Sequence, residues 1–327
     1  MKRTFEILAY WVLSCACLVA FSGCKEVLDT PSDDLDQSAG VPISFSSDDV
    51  STKAEFYDLT DMQNDGVTVW GAITPASSAS GIEVFGNMGT SLTYNQLSKE
   101  WTYSPVRYWL KGEYEFLAVY PFNDYVTYGD LGYCIEDYYL DQTDLLVASN
   151  TVQSNGISSP GTVKLNFEHA LCQLEFKAKS ASSDNLKAIL YGIDIKNAAL
   201  AATFDASEGK WDGHIISNNT IYSVKGSDNL ISGEYTTLES GILMLPQDFS
   251  TIQLAVRYYG TGTDNSLGQQ TKVYSLPALN GGKTEWLPGK KYTYTLSVEG
   301  NEKIVFEAPT VTPWVSASGG NFIINTQ

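Results

Sequence analysis

Apolar and polar residues alternate with a period of two along most of the chain. In VPISFSS, Val41, Ile43 and Phe45 fall on one face, and in EYEFLAVY, Tyr114, Phe116, Ala118 and Tyr120 do the same. LCQLEFKAK sets Cys172, Leu174, Phe176 and Ala178 against Gln173, Glu175, Lys177 and Lys179. KYTYTLSVE sets Tyr292, Tyr294, Leu296 and Val298 against Thr293, Thr295, Ser297 and Glu299. Successive side chains of a strand point to opposite faces, so the pattern predicts antiparallel strands with one face packed and the other facing solvent. The abundance of Val, Ile, Tyr, Phe and Thr suits strands. NDG, SEGK and NGGK interrupt the runs with turn residues. No stretch sustains a helical period, although TYNQLSKEW has room for one short helical turn. Many short strands with regular turns predict an all-β chain of antiparallel β-sandwiches.

The start of the chain breaks this pattern. Lys2 and Arg3 precede a charge-free apolar run from Ile7 to Phe21, then Ser22, Gly23 and Cys24. A positive start, an apolar run and small residues at the exit predict a signal peptide over 1–23. The run falls short of the roughly 20 residues a membrane-spanning helix needs. Phe-Ser-Gly-Cys resembles the lipobox of bacterial lipoproteins, which makes Cys24 the lipidation site and first mature residue. Acyl chains partition at about 0.8 kcal/mol per buried CH₂, and more than one chain anchors stably. Residues 24–40 then form a lipidated flexible tether. Its acidic residues (Glu26, Asp29, Asp33, Asp34 and Asp36) resemble the surface-export signals of Bacteroidetes lipoproteins.

A second break, VASNTVQSNGISSPGT (147–162), is rich in Ser, Asn, Gly and Pro and reads as a loop. It divides the mature chain into an N-terminal β-sandwich, 41–160, and a C-terminal one, 161–327, each long enough for its own core.

Composition narrows the partners. There are 20 Lys and Arg against 38 Asp and Glu, and removal of residues 1–23 makes the balance one unit more negative. Such a surface repels nucleic acid and anionic lipid. Aromatic content of 12% with only 18% charged residues argues against disorder. Of five cysteines, Cys15 and Cys17 leave with the leader and Cys24 takes lipid. Cys134 and Cys172 remain, and two separate thiols are expected rather than a bridge.

Catalytic chemistry is thinly supplied. His169 lies at a strand entry and reads as a packing histidine; His214 follows a Gly turn and reads as exposed. No G-x-S-x-G, H-E-x-x-H or C-x-x-C occurs in the mature chain. PALNGGKT has Pro277 where a phosphate loop begins and no helix pattern after it, so it reads as a hairpin turn. DMQNDG matches part of a calcium loop, but Ala72 stands where the bidentate Glu belongs, so it reads as a solvated turn. No metal, cofactor or enzymatic activity is expected. The aromatics Trp101, Tyr103, Tyr108, Trp109, Tyr114, Phe116 and Tyr120 could stack on sugars, but their spacing favours core.

Five motifs occur in order: W-x-Y-S-P…Y-W…Y-x-F-x-A-V-Y-P, DLLVAS, LNFEHALCQLEFK, ILMLPQD and WLPGKKYTYTL. Together, over residues 41–327, they resemble the fimbrillin family, lipoprotein precursors of type V pili in Bacteroidales. The resemblance implies two transthyretin-like β-sandwich domains in tandem and polymerisation by donor strand exchange, in support of cell adhesion. It implies a stalk or anchor subunit whose partners are other pilin subunits in a homo- or hetero-polymer, the outer membrane through the lipid, and a host or bacterial receptor. In the family the precursor's first strand fills its own groove until a protease cuts after an Arg beyond it. VPISFSSDDVSTKAEF fits that strand, with Lys53-Ala54 at the cut. Lys in place of Arg speaks against an Arg-specific cut and leaves a Lys-specific cut or none. The tail 302–327 is a candidate donor strand through Ile304, Phe306, Phe322 and Ile324; it reads equally as a closing edge strand. A different class also has a foothold: GCKEVLDTP resembles the start of glycan-binding lipoproteins of carbohydrate-uptake systems, although those are helical and much longer.

Overall fold

The computed structural model describes residues 40–47, 57, 59–78, 80–129, 132–158, 160–181, 188–230, 233–259, 268–299 and 303–314. The leader 1–23, Cys24, nearly all of the tether, Lys53, Ala54, Phe322 and Ile324 lie outside the described residues.

The chain is nearly all strand. In order come β1 (Phe45–Ser46), α1 (Leu59–Asp65), β2 (Val67–Pro75), β3 (Ile82–Glu83), β4 (Thr90–Asn95), β5 (Glu100–Thr102), β6 (Lys111–Tyr120), β7 (Val126–Gly129), β8 (Gly132–Tyr139), β9 (Leu146–Asn155), β10 (Val163–Lys164) and β11 (Glu168–His169). Then follow β12 (Cys172–Ser180), β13 (Ala188–Asp205), β14 (Lys210–Leu230), β15 (Thr236–Met244), β16 (Gln253–Tyr259), β17 (Gln269–Ser275), β18 (Lys290–Glu299), β19 (Lys303–Phe306) and β20 (Thr310–Pro313).

Three local readings change. The helix α1 falls in the stretch read as a turn: Met62 is buried beneath it, and Gly66 ends it at φ +84° with its N–H on the Met62 carbonyl at 2.8 Å. A left-handed residue after a helix is best supplied by Gly. TYNQLSKEW is the β4–β5 hairpin and carries no helix: Asn95 Oδ1 accepts the N–H groups of Leu97 and Ser98 and folds the turn. Most of the supposed loop at 147–162 is β9, paired with β6 along its whole length. Its Ser149, Thr151 and Gln153 point outward and Ala148 inward, so solvent on one face gives a strand a loop-like composition.

A seven-stranded sheet runs β11-β9-β6-β2-β4-β5, with β3 also on β2; a second runs β17-β16-β13-β8-β7, with β14 also on β13. A third runs β15-β12-β18-β19, with β20 also on β18. Most pairings are antiparallel, as expected. Two are parallel, β1 with β10 and β12 with β18. Alternation reports which face is buried and is silent on neighbour direction.

Two buried clusters hold the sheets together. One contains Ile43, Phe45, Val69, Phe85, Tyr114 and Phe116; the other contains Cys172, Leu174, Phe176, Tyr292, Tyr294 and Leu296. The seven-stranded sheet contributes to both: Val69, Phe116 and Ala118 enter the first, while Trp70, Ala72, Leu117 and Val119 enter the second. FLAVY at the end of β6 is therefore buried on both faces, which is why its alternation lapses into an apolar run. The chain also crosses between clusters. Tyr133 and Ile135 belong to the second, and Val163, Leu165 and Phe167 to the first. Gln173 and Glu175, read as facing solvent, are buried. Glu175 accepts hydrogen bonds from Thr293 Oγ1 at 2.9 Å and Lys291 Nζ at 3.4 Å, and pairs with Lys177 at 3.2 Å. The partners Thr293 and Lys291 belong to β18, the neighbour of β12 in the same sheet, so Glu175 is buried with its carboxylate satisfied.

Candidate functional site

The segment 41–47 is held on both edges by parts of the chain far away in sequence. On one side the Ile43 N–H donates to the Arg107 carbonyl at 2.8 Å, and the Trp109 N–H donates to the Val41 carbonyl at 2.9 Å. On the other, the Val163 and Leu165 N–H groups donate to the Ser44 and Ser46 carbonyls at 2.8 and 2.7 Å. The segment thus fills a slot between 107–109 and 163–165. Four such bonds contribute about 1 kcal/mol each, and a buried group left unmade costs more.

Side chains complete the seat. Ile43 and Phe45 are 2% and 5% exposed. The Phe45 ring meets Phe85, Tyr103 and Phe116 edge-on, at centroid distances of 5.9, 5.7 and 5.6 Å. Edge-to-face pairs align the positive rim of one ring with the negative face of the next. The Tyr103 hydroxyl donates to the Ile43 carbonyl at 2.9 Å. Burial pushes its pKa up to about 12, so it remains a donor at neutral pH. The Trp101 indole N–H donates to Ser47 Oγ at 3.0 Å.

The slot walls were legible only in part. TVKLNF alternates Val163, Leu165 and Phe167 inward, whereas nothing in SPVRYW announces that 107–109 borders the first strand. The aromatic stretch is mostly core, as its spacing suggested: Trp101, Trp109, Tyr114, Phe116 and Tyr120 are all buried.

At the other end, Ile304 and Phe306 lie on β19, which pairs with β18 of the same chain. Ile304 is buried in the second cluster, and Phe306 packs against Tyr274 at 5.6 Å. The strand β20 lies further along the same edge of β18. Trp314, just after it, is buried and stacked on His169 at 3.7 Å. His169 is thus a packing histidine, with Nδ1 hydrogen-bonded to Asp144 Oδ2 at 2.9 Å. His214, read as exposed, is half-buried with Nε2 at 2.7 Å from the Pro246 carbonyl. Cys134 and Cys172 are both free thiols.

Among the described residues, then, the fold defines an all-β protein of several packed sheets, one of whose cores is completed by a strand from near its own N-terminus. A family model described as fimbrillin-like matches residues 52–314, and the chain belongs to that family. Solved structures agree on the fold. A fimbrial protein from Bacteroides vulgatus superposes with a TM-score of 0.59 at 17% identity, covering 84% of this chain and 99% of that one. A candidate cell adhesion protein from Bacteroides ovatus does so with a TM-score of 0.50 at 16% identity, covering 86% of this chain and 100% of that one. A search of curated proteins gave no match.

Proposed function

We propose that this fimbrillin-like protein is a stalk or anchor subunit of a cell-surface type V pilus that polymerises by donor strand exchange and supports adhesion. The observation that carries this reading is the slot around 41–47. A strand held by four backbone bonds and two buried side chains, and joined onward through the stretch containing Lys53-Ala54, can be removed by one cut beyond it. Its loss would leave unpaired backbone at 107–109 and 163–165 beside the pocket of Phe85, Tyr103 and Phe116. A strand from another subunit would satisfy both, with main-chain bonds supplying affinity and alternate side chains supplying register. In this reading Cys24 carries lipid, holds the precursor at the outer membrane and stays behind with residues 24–53 after the cut. The chain works as two sandwich units that meet across the seven-stranded sheet, by assembly and without turnover.

The donor segment is placed in the C-terminal tail. Because residues 303–313 close the edge of β18, we assign donation to 315–327, which carry Phe322 and Ile324, with Ile304 and Phe306 anchoring the tail to its own subunit. Deletion of 315–327 in the full-length gene tests this. The expected result is a folded, surface-displayed subunit and loss of the ladder of polymers on mildly denaturing gels; an unchanged ladder overturns the donor assignment. The glycan-binding alternative is not favoured, because most of the aromatics that suggested it are buried.

A further inference from the structure

The slot and the C-terminal tail are joined by one short stretch of chain. Residues 163–169 begin at the slot, where the Val163 and Leu165 N–H groups hold Ser44 and Ser46, and end at His169, on which Trp314 stacks with planes 8° apart. Between these points Val163, Leu165 and Phe167 are all buried in the core that contains Phe45. The stretch is a packed strap with one terminal segment of the protein at each end.

The far end is closely defined. The Trp314 N–H donates to the Gly289 carbonyl at 2.8 Å, and the Gly289 N–H donates to the Leu171 carbonyl at 2.9 Å. Trp314, Gly289, Leu171 and His169 thus close a ring of contacts. Gly289 sits at φ +61°, and a Cβ there would come within 3.7 Å of the His169 carbonyl. The imidazole is oriented by Asp144, a carboxylate 1% exposed whose other oxygen accepts the Leu145 N–H at 2.9 Å. His169 Nε2 is buried with no hydrogen-bond partner among the described residues. Among the described residues, the Asp144 bond and the Trp314 stack orient the ring, and either is sensitive to a shift of the strap.

We infer that the 163–169 strap couples the two ends, so that emptying the slot loosens the seat of Trp314 and an occupied slot holds the tail against its own subunit. This rests on the reading that strand 41–47 is removable and adds a regulation to it: a subunit's tail becomes easier to withdraw once its first strand is lost. Trp314 and His169 act here as positioning residues. Coupling between two sites is reciprocal, so disturbing Trp314 also weakens the hold on 41–47 by the same factor.

Amide hydrogen exchange on the full chain tests this without any fibre. Phe45→Ala loosens the slot and is expected to speed exchange of the Gly289 and Trp314 amides about fivefold or more, the lower range of typical couplings, while β16 amides change less. His169→Gln keeps a donor for Asp144 but removes the stacking surface; it is expected to speed exchange at Ile43 and Leu165 by a similar factor. Trp314→Ala is the parallel variant, and His169→Gln serves if Trp314→Ala does not fold. Unchanged Gly289 and Trp314 amides in Phe45→Ala overturn the coupling, as does acceleration equal to that of β16, which is global loosening. Because assembly is not the readout, failure here leaves the pilus reading standing, and failure of that reading leaves the exchange result intact.

Discussion

The Phe45 ring stands edge-on to Phe116, with centroids 5.6 Å apart and planes at 86°. One residue lies on the two-residue strand β1, the other in the middle of β6, which pairs along its full length with β9 and from Gly112 to Val119 with β2. The contact joins a two-residue strand of the first core to a ten-residue strand paired on both edges. Phe45 ties 41–47 to the core through three aromatic rings, and its removal gives a first prediction. Phe45→Ala is expected to lower unfolding free energy by about 3 kcal/mol, the usual cost of emptying an aromatic site. Ser44→Ala, a surface change on the same segment, is expected to cost under about 0.5 kcal/mol. Urea denaturation of the two variants checks the difference.

A second prediction concerns Glu175. Burial alone raises its carboxyl pKa, but hydrogen bonds from Thr293 and Lys177 and the charges of Lys291 and Lys177 outweigh it and hold the value below the ordinary one. A folded pKa below the unfolded one contributes stability above the unfolded value, near pH 4.3, and loses it as pH falls through the folded value. Glu175→Gln is expected to cost about 1.5–3 kcal/mol at pH 7, the range for bonds to a charged group. Denaturation at a series of pH values should show wild type and variant converging below about pH 4, and a constant gap would contradict the assignment.

The thiols give a third. Cys172 is fully buried, its Sγ 3.3 Å from the Met244 carbonyl, and burial raises its pKa well above the ordinary value. Cys134 is half-buried, and burial together with Asp205 and Glu136 raises it too. The thiolate is the reactive form. Maleimide labelling of the native protein at pH 7 is expected to leave Cys172 unmodified and Cys134 slow, with both labelled after denaturation.

Much of this fold was legible because alternation is a direct record of burial. Cys172, Leu174, Phe176 and Ala178, and Tyr292, Tyr294, Leu296 and Val298, occupy the second core as their spacing required. What sequence could not carry was long-range: that β12 and β18 run parallel, that Gln173 and Glu175 are buried, and that 107–109 and 163–165 form the two walls of one slot. Of the candidate site, the inward side chains of VPISFSS were readable, but their partners were not. The two-faced burial of β6 was misread because a period-two pattern identifies one buried face and says nothing when both are covered.

The most direct test of the central claim is the N-terminus of the chains inside assembled fibres, measured by mass spectrometry of isolated pili. If strand 41–47 is the removable occupant of the slot, polymerised stalk chains begin at or near Ala54 and contain no peptide from 41–47. Polymerised chains that uniformly retain residues 41–47 would contradict it.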